Sequence, residues 1–150
     1  MRVWFELNFF MSKFALRNIE AVQGNQTFDK LVVDGVAPFD TFENELETKY
    51  ERSLQKIYFY MNEVANNRAL PNTKFKDVTP EKESVKEYEF KDGDLRVYGI
   101  SKFGGKIIIL GGYKNQQKKD YRRFRSLKEQ YLKQETENTT RNEKSRTPKK

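Results

Sequence analysis

Between Lys91 and Arg125 the chain gathers cations and tyrosines: Lys91, Arg96, Tyr98, Tyr113, Lys114, Lys118, Lys119, Tyr121, Arg122, Arg123 and Arg125. Cationic side chains contact phosphate oxygens, and tyrosine rings stack unpaired bases. Taken singly, Tyr98 and Tyr113 read as core residues and the lysines as ordinary surface. The clustering is what favours a polyanion-binding site. Glu87 and Glu89 share a strand face, but the neighbourhood has too few further oxygen ligands for a metal pair, so they read as a solvent-facing strand edge. Arg96 carries two readings: a surface ion pair with Glu87 or Glu89, or a guanidinium that holds a phosphate. There is no Cys and no His. Disulfides and thiol nucleophiles are excluded, and the commonest general base is missing. Gly104-Gly105 and Gly111-Gly112 lack the spacing of a phosphate-binding or dinucleotide loop, and no cofactor is implied.

The elements that must position these residues follow from periodicity. Val85 to Phe90, Leu95 to Ile100 and Lys106 to Leu110 read as three antiparallel strands. Asp92-Gly93 is a hairpin turn and Gly104-Gly105 offers a second. Strand alternation puts Arg96, Tyr98 and Ile100 on one face and Leu95 and Val97 on the other. The third run is apolar on both faces, as a central strand covered on both sides would be. It ends in Gly111-Gly112 and a cationic loop. Phe14 to Val22 and Phe28 to Val33 are two further strand-like runs with a turn at Gly24-Asn25. Asp40 with Glu43 has the form of a capping box. The apolar stripe Leu46, Tyr50, Leu54, Ile57, Tyr58, Met61, Val64 and Ala65 predicts one amphipathic helix from about Asp40 to Asn66, or a helical hairpin if it breaks near Thr48 to Arg52. Residues 69–84 read as a loop. A second stripe, Tyr121, Phe124, Leu127, Tyr131 and Leu132, predicts a basic C-terminal helix. The fold class is therefore α+β, an antiparallel sheet of three or more strands packed against the amphipathic helix.

Charge divides the chain. Residues 114–150 hold 13 Lys or Arg against 5 Asp or Glu, and the other 113 residues are close to neutral. A near-neutral body with a cationic end suits a polyanionic partner. One domain over 1–133 is expected, followed by a disordered basic tail over 134–150. Met11-Ser12-Lys13 has the form of a bacterial start, so residues 1–10 are expected to be a non-native extension. The first ten residues do not read as a signal peptide, and no apolar run approaches the ~20 residues of a membrane span. A cytoplasmic protein is expected.

Tyr88-Glu-Phe-Lys91, Leu95-Arg-Val-Tyr98, Lys106-Ile-Ile-Ile-Leu-Gly-Gly-Tyr113 and Lys118-Lys-Asp-Tyr-Arg-Arg-Phe124 together resemble the RelE/ParE toxin superfamily, closest to its HigB-like, phage-derived branch. The resemblance spans roughly residues 39–133 and lies in the order and spacing of short motifs. It implies a RelE-like fold and the toxin of a type II toxin–antitoxin pair, with a cognate antitoxin as partner. Such toxins typically cut mRNA on the ribosome without a metal. Arg96 matches the arginine that opens the second strand of the motif, Lys91 stands where the first strand usually ends in Arg, and Lys119 matches the last lysine of the loop. Asn115-Gln116 stand where the family has paired lysines, with Lys114 a replacement by a one-residue shift.

RNA supplies its own nucleophile, the 2′-OH. Its cleavage needs in-line positioning, a proton acceptor, charge relief on the phosphate and a proton donor. Arg96 could bridge two phosphate oxygens. Lys91 or Lys119 could move a proton if burial or neighbouring cations lower its pKa. Tyr121 could serve as acid or stacking platform, with Tyr98, Tyr113, Lys114, Lys118, Arg122, Arg123 and Arg125 binding RNA. The expected function is a ribosome-dependent mRNA endonuclease. Two alternatives share the same residues: a ParE-like toxin that blocks DNA gyrase and cuts nothing, and a non-catalytic RNA- or DNA-binding module.

Overall fold

The computed structural model describes residues 12–146, so the expected extension over 1–10 lies outside the described residues. Six strands form one sheet: β1 (Phe14–Asn18), β2 (Thr27–Val33), β3 (Phe75–Asp77), β4 (Glu87–Asp92), β5 (Leu95–Lys102) and β6 (Gly105–Tyr113). Their spatial order is β1-β2-β6-β5-β4-β3. The meander β4–β5–β6 is antiparallel as expected, but β2 pairs with β6 in parallel, so the sheet is mixed rather than wholly antiparallel. A parallel neighbour needs a long crossover, and the two helices between β2 and β3 supply part of it. The short edge strand β3 lies in the stretch expected to be loop, where three residues give no readable alternation.

The stripe is broken rather than one helix, close to the Thr48 to Arg52 stretch where the alternative reading placed a break. Helix α1 spans Pro38–Asn44, a 3-10 turn occupies Thr48–Tyr50, and α2 spans Glu51–Ala65. Pro38 starts α1, since its fixed φ and missing N–H suit a first turn, and Ala37 rather than Asp40 is the N-cap. Asp40 instead lies within α1 and pairs with Arg17 and Lys30. Leu54, Ile57, Met61, Val64 and Ala65 are buried against the sheet, as the α2 periodicity predicts. They join Phe28, Phe39, Phe90, Leu95, Val97 and Ile108 in one core.

The opposite face is covered by α3 (Gln117–Arg146). Leu31, Tyr98, Ile100, Ile107, Ile109, Leu110, Phe124 and Tyr131 form the second core there. Tyr98 pairs with Leu110 while the next residue, Gly99, pairs with Ile108, so Ile109 is an extra residue in β6. That bulge turns both Ile109 and Leu110 into the second core.

No Gly or Pro occurs between Tyr113 and Arg146, and α3 does not stop at Gln134. The expected disordered tail is helical to Arg146. Once the packed half has nucleated the helix, each added Lys, Glu, Gln or Arg gains a backbone hydrogen bond at little side-chain cost. Gln134 clasps the start of β1, accepting from the Phe14 N–H at 3.1 Å and donating to its carbonyl at 3.1 Å. No helix among the described residues is long and apolar enough to cross a membrane.

The parallel junction is a close approach of two strands: a Cβ on Gly105 would lie 1.8 Å from the Thr27 carbonyl oxygen. Gly105→Ala should cost about 3 kcal/mol or more, the upper end of overpacking, because the atom it meets is backbone. Gly104→Ala, at φ +75 with open space around it, should cost ~1–2 kcal/mol from its left-handed backbone alone. Urea unfolding of the two variants measures both, and equal costs would contradict the junction.

Candidate nucleic-acid interface

On the α3 side of the sheet, backbone register puts Lys91, Arg96 and Gly112 in one row and Glu89, Tyr98 and Leu110 in the next. Expected as a solvent edge, Glu87 and Glu89 are buried, at 0% and 4% exposure. Strand β3 pairs outside β4, and α3 crosses above. Buried carboxylates require partners, and both have them. Lys128 Nζ lies 2.8 Å from Glu87 and Arg125 Nε 3.1 Å from it. Glu89 accepts from Gln117 Nε2 at 2.8 Å and from Tyr121 Oη at 2.7 Å, with Arg96 Nε at 3.3 Å as an ion pair. The Arg96 guanidinium also donates to the carbonyls of Gly93 and Leu95, at 2.7 Å and 2.8 Å. It is engaged inside the fold, the first of the two sequence readings, though buried rather than on the surface. Gln117, Tyr121, Arg125 and Lys128 recur at helical spacing, so these polar groups reach the sheet from one side of α3, Arg125 from its exposed margin. That recurrence, above the alternating Glu87 and Glu89, is the sequence signal that would have revealed the clamp, which the reading of those carboxylates as a solvent edge missed.

The tyrosines separate. Tyr98 is fully buried, with ring centroids 4.9 Å from Tyr121 and 5.5 Å from Phe124. It cannot stack a base, so its expected RNA-binding role is corrected to a core role. Burial, with Glu89 close by, holds its hydroxyl proton well above the usual tyrosine range. The Gln117 amide is near that hydroxyl but outside hydrogen-bond geometry, which leaves the oxygen unpartnered. Tyr121 is half-buried, and the Arg125 guanidinium lies 4.8 Å above its ring. Burial and then the bond to Glu89 raise its pKa far beyond neutrality. Its proton is committed to Glu89, which makes Tyr121 part of the clamp on α3. Tyr113 is half-buried against Tyr50 and Phe42, at 5.2 Å and 5.8 Å between centroids, and burial raises its pKa.

The expected cationic loop is a 3-10 turn, Lys114–Gln116, running directly into α3. Lys114, Lys118, Lys119, Arg122 and Arg123 are exposed on it. None of these five side chains makes an ion pair or hydrogen bond among the described residues, whereas Arg17, Lys30, Arg68, Lys74, Lys86, Arg96, Lys102, Arg125 and Lys128 all do. Lys118 and Arg122 stand four apart, as do Lys119 and Arg123. Like charges at that spacing repel by ~0.2–0.5 kcal/mol per pair. The set therefore costs stability until an anion neutralises it. Lys91 is half-buried beside Arg96 in the first row. Asp120, in the first turn of α3, rests one oxygen, buried and unpartnered, on Gly112, where a Cβ would lie 2.0 Å from it. Burial raises its pKa, opposed by Lys119 and Arg123.

Comparison with family models, with curated proteins and with solved structures matches none of them.

Tyr98→Phe removes a hydroxyl that has no partner and should leave stability unchanged or higher. Tyr121→Phe removes a bond to a carboxylate and should cost about 1.5–3 kcal/mol. Asp120 holds its proton more tightly folded than unfolded, so its charge opposes folding once the pH exceeds the ordinary carboxylate range. Asp120→Asn should therefore raise the unfolding free energy at neutral pH, and the gain should vanish as the pH falls below that range. Chemical denaturation across pH checks all three.

Proposed function

We propose that the chain binds RNA through the solvent face of the first two turns of α3. The observation that carries this reading is five exposed cations, Lys114, Lys118, Lys119, Arg122 and Arg123, gathered on one short stretch with no ion pair or side-chain hydrogen bond among the described residues. A phosphate chain offers regularly spaced charge to such a face, and the half-exposed Tyr113 at its start can meet an unpaired base. Single-stranded RNA is favoured over a duplex because aromatic contact requires splayed bases.

A second, finer reading is a toxin that cuts mRNA on the ribosome and is held in check by an antitoxin in the cytoplasm. It is favoured by Lys91 and Arg96 sharing one row at the end of the sheet from which α3 starts. The order of first strand pair, helices, antiparallel meander and basic helix also suits the RelE-like resemblance. In this reading Arg96 must exchange Glu89 for the scissile phosphate, while Lys91 and Lys119 remain available for proton transfer. Induction in bacteria with mapping of transcript 5′ ends separates the two readings. In-frame cuts lost in Arg96→Ala support the toxin, and RNA binding without cuts leaves the binding module.

For binding itself, fluorescence anisotropy with a single-stranded RNA should give a log–log salt slope of roughly −3.5, near −0.7 for each of five phosphates neutralised. Changing Lys118, Lys119, Arg122 and Arg123 together to Gln should flatten that slope to about −0.7, the share left to Lys114, without lowering Tm. An unchanged slope in that variant would reject this face.

A further inference from the structure

Beside the cationic face lies an open cavity of about 520 Å3, walled by Tyr50 and Tyr113 and lined by Glu47, Asp94 and Lys114. Its volume falls within the roughly 300–1,000 Å3 of small-molecule sites. The two rings stand 5.2 Å apart at an angle of 57°, and Phe42 backs Tyr113 from behind, so the aromatic wall is held in place. The Asp94 carbonyl accepts the Lys114 N–H at 2.7 Å, which ties the acidic rim to the start of the cationic turn. Glu47 is exposed, 3.7 Å from the equally exposed Lys49, and its charge is felt at the Tyr113 hydroxyl.

The lining holds two acidic residues, Glu47 and Asp94, against one cation, Lys114, which belongs to the cationic face, so the backbone of a bound strand runs along α3 past Lys114 and leaves the acidic part of the cavity to a base. A carboxylate offers acceptors only. Guanine presents two adjacent donors on its pairing edge, N1–H and the N2 amino group. Adenine and cytosine place one amino donor beside a ring acceptor, and uracil places one N–H between two carbonyl acceptors. Only guanine offers a carboxylate two adjacent donors, its O6 acceptor lying on the side of N1–H away from the amino group. We propose that this cavity takes a guanine of a single-stranded RNA, its ring against Tyr50 and Tyr113 and its N1–H and N2 amino group on the carboxylates of Glu47 and Asp94. The inference rests on the RNA-binding reading for the phosphate chain, but the base contact is separable from it.

Two measurements test it. Uncharged guanosine, titrated alone, reads the cavity without the phosphate face. It should shift the ring resonances of Tyr50 and Tyr113, while adenosine, cytidine and uridine should not. Hexaribonucleotides with one guanine among adenines should bind about tenfold more tightly than hexa-adenylate. The double variant Glu47→Gln, Asp94→Asn should bring that ratio to within about twofold, with hexa-adenylate binding no weaker than before. Equal shifts for all four nucleosides, or a guanine preference that survives in the double variant, would overturn the proposal. Guanosine binding with no salt-dependent oligonucleotide binding would keep the cavity and reject the RNA-binding reading. Oligonucleotide binding without base preference would do the reverse.

Discussion

Two carboxylates lie under a helix, and the rest of the molecule is arranged around that fact. Removing Glu87 and Glu89 from water costs several kcal/mol per charge unless each is matched. The match comes from a single element, α3, which brings Lys128 and Arg125 to Glu87 and Gln117 and Tyr121 to Glu89. Arg96 completes the second set from within the sheet. Apolar contacts of Phe124 and Tyr131 supply most of the attraction between helix and sheet. They would tolerate some sliding or rotation. The polar contacts do not, because a shifted helix leaves a buried charge uncovered.

The clamp accounts for what the helix shows to solvent. With Gln117, Tyr121, Phe124, Arg125 and Lys128 turned toward the sheet, helical geometry sends Lys118, Lys119, Arg122 and Arg123 outward. The same helix thus carries cations bonded to internal carboxylates and cations that make no ion pair, with only the half-buried Asp120 near Lys119 and Arg123. The second group is where an external anion gains most, since each contact relieves repulsion as well as adding attraction. The bulge at Ile109 and the close approach of Asp120 to Gly112 hold the start of α3 at the end of β6. Tyr113 and the cationic turn therefore keep a defined relation to the end of the sheet where Lys91 and Arg96 lie.

The meander, its turns and both apolar stripes were legible because each repeats a period that its packing requires. Leu95 and Val97 face one core, Tyr98 and Ile100 the other, as alternation demands. The break between α1 and α2 was legible only as an alternative near Thr48 to Arg52, not as a requirement. Tyr50 continues the apolar spacing through it, and the residues at the break neither forbid helix nor require a turn. The parallel pairing of β2 with β6 depends on a Gly105 whose close contact with Thr27 only the assembled sheet reveals. In the candidate site, the exposed cations were readable from charge alone. Tyr98 and Arg96 were misleading because burial is decided by α3, which is remote in sequence. Glu87 and Glu89 looked like surface for the same reason.

Amide hydrogen exchange of residues 117–134, compared between the wild type and a Glu87→Gln, Glu89→Gln variant, tests the clamp most directly. The wild-type amides of α3 should exchange only as slowly as those of β4, β5 and β6, because helix and sheet open together. In the variant, α3 should exchange faster than the sheet, while the sheet amides keep their order. Protection of α3 that is unchanged relative to the sheet would mean that apolar packing alone fixes the helix, and would contradict the account.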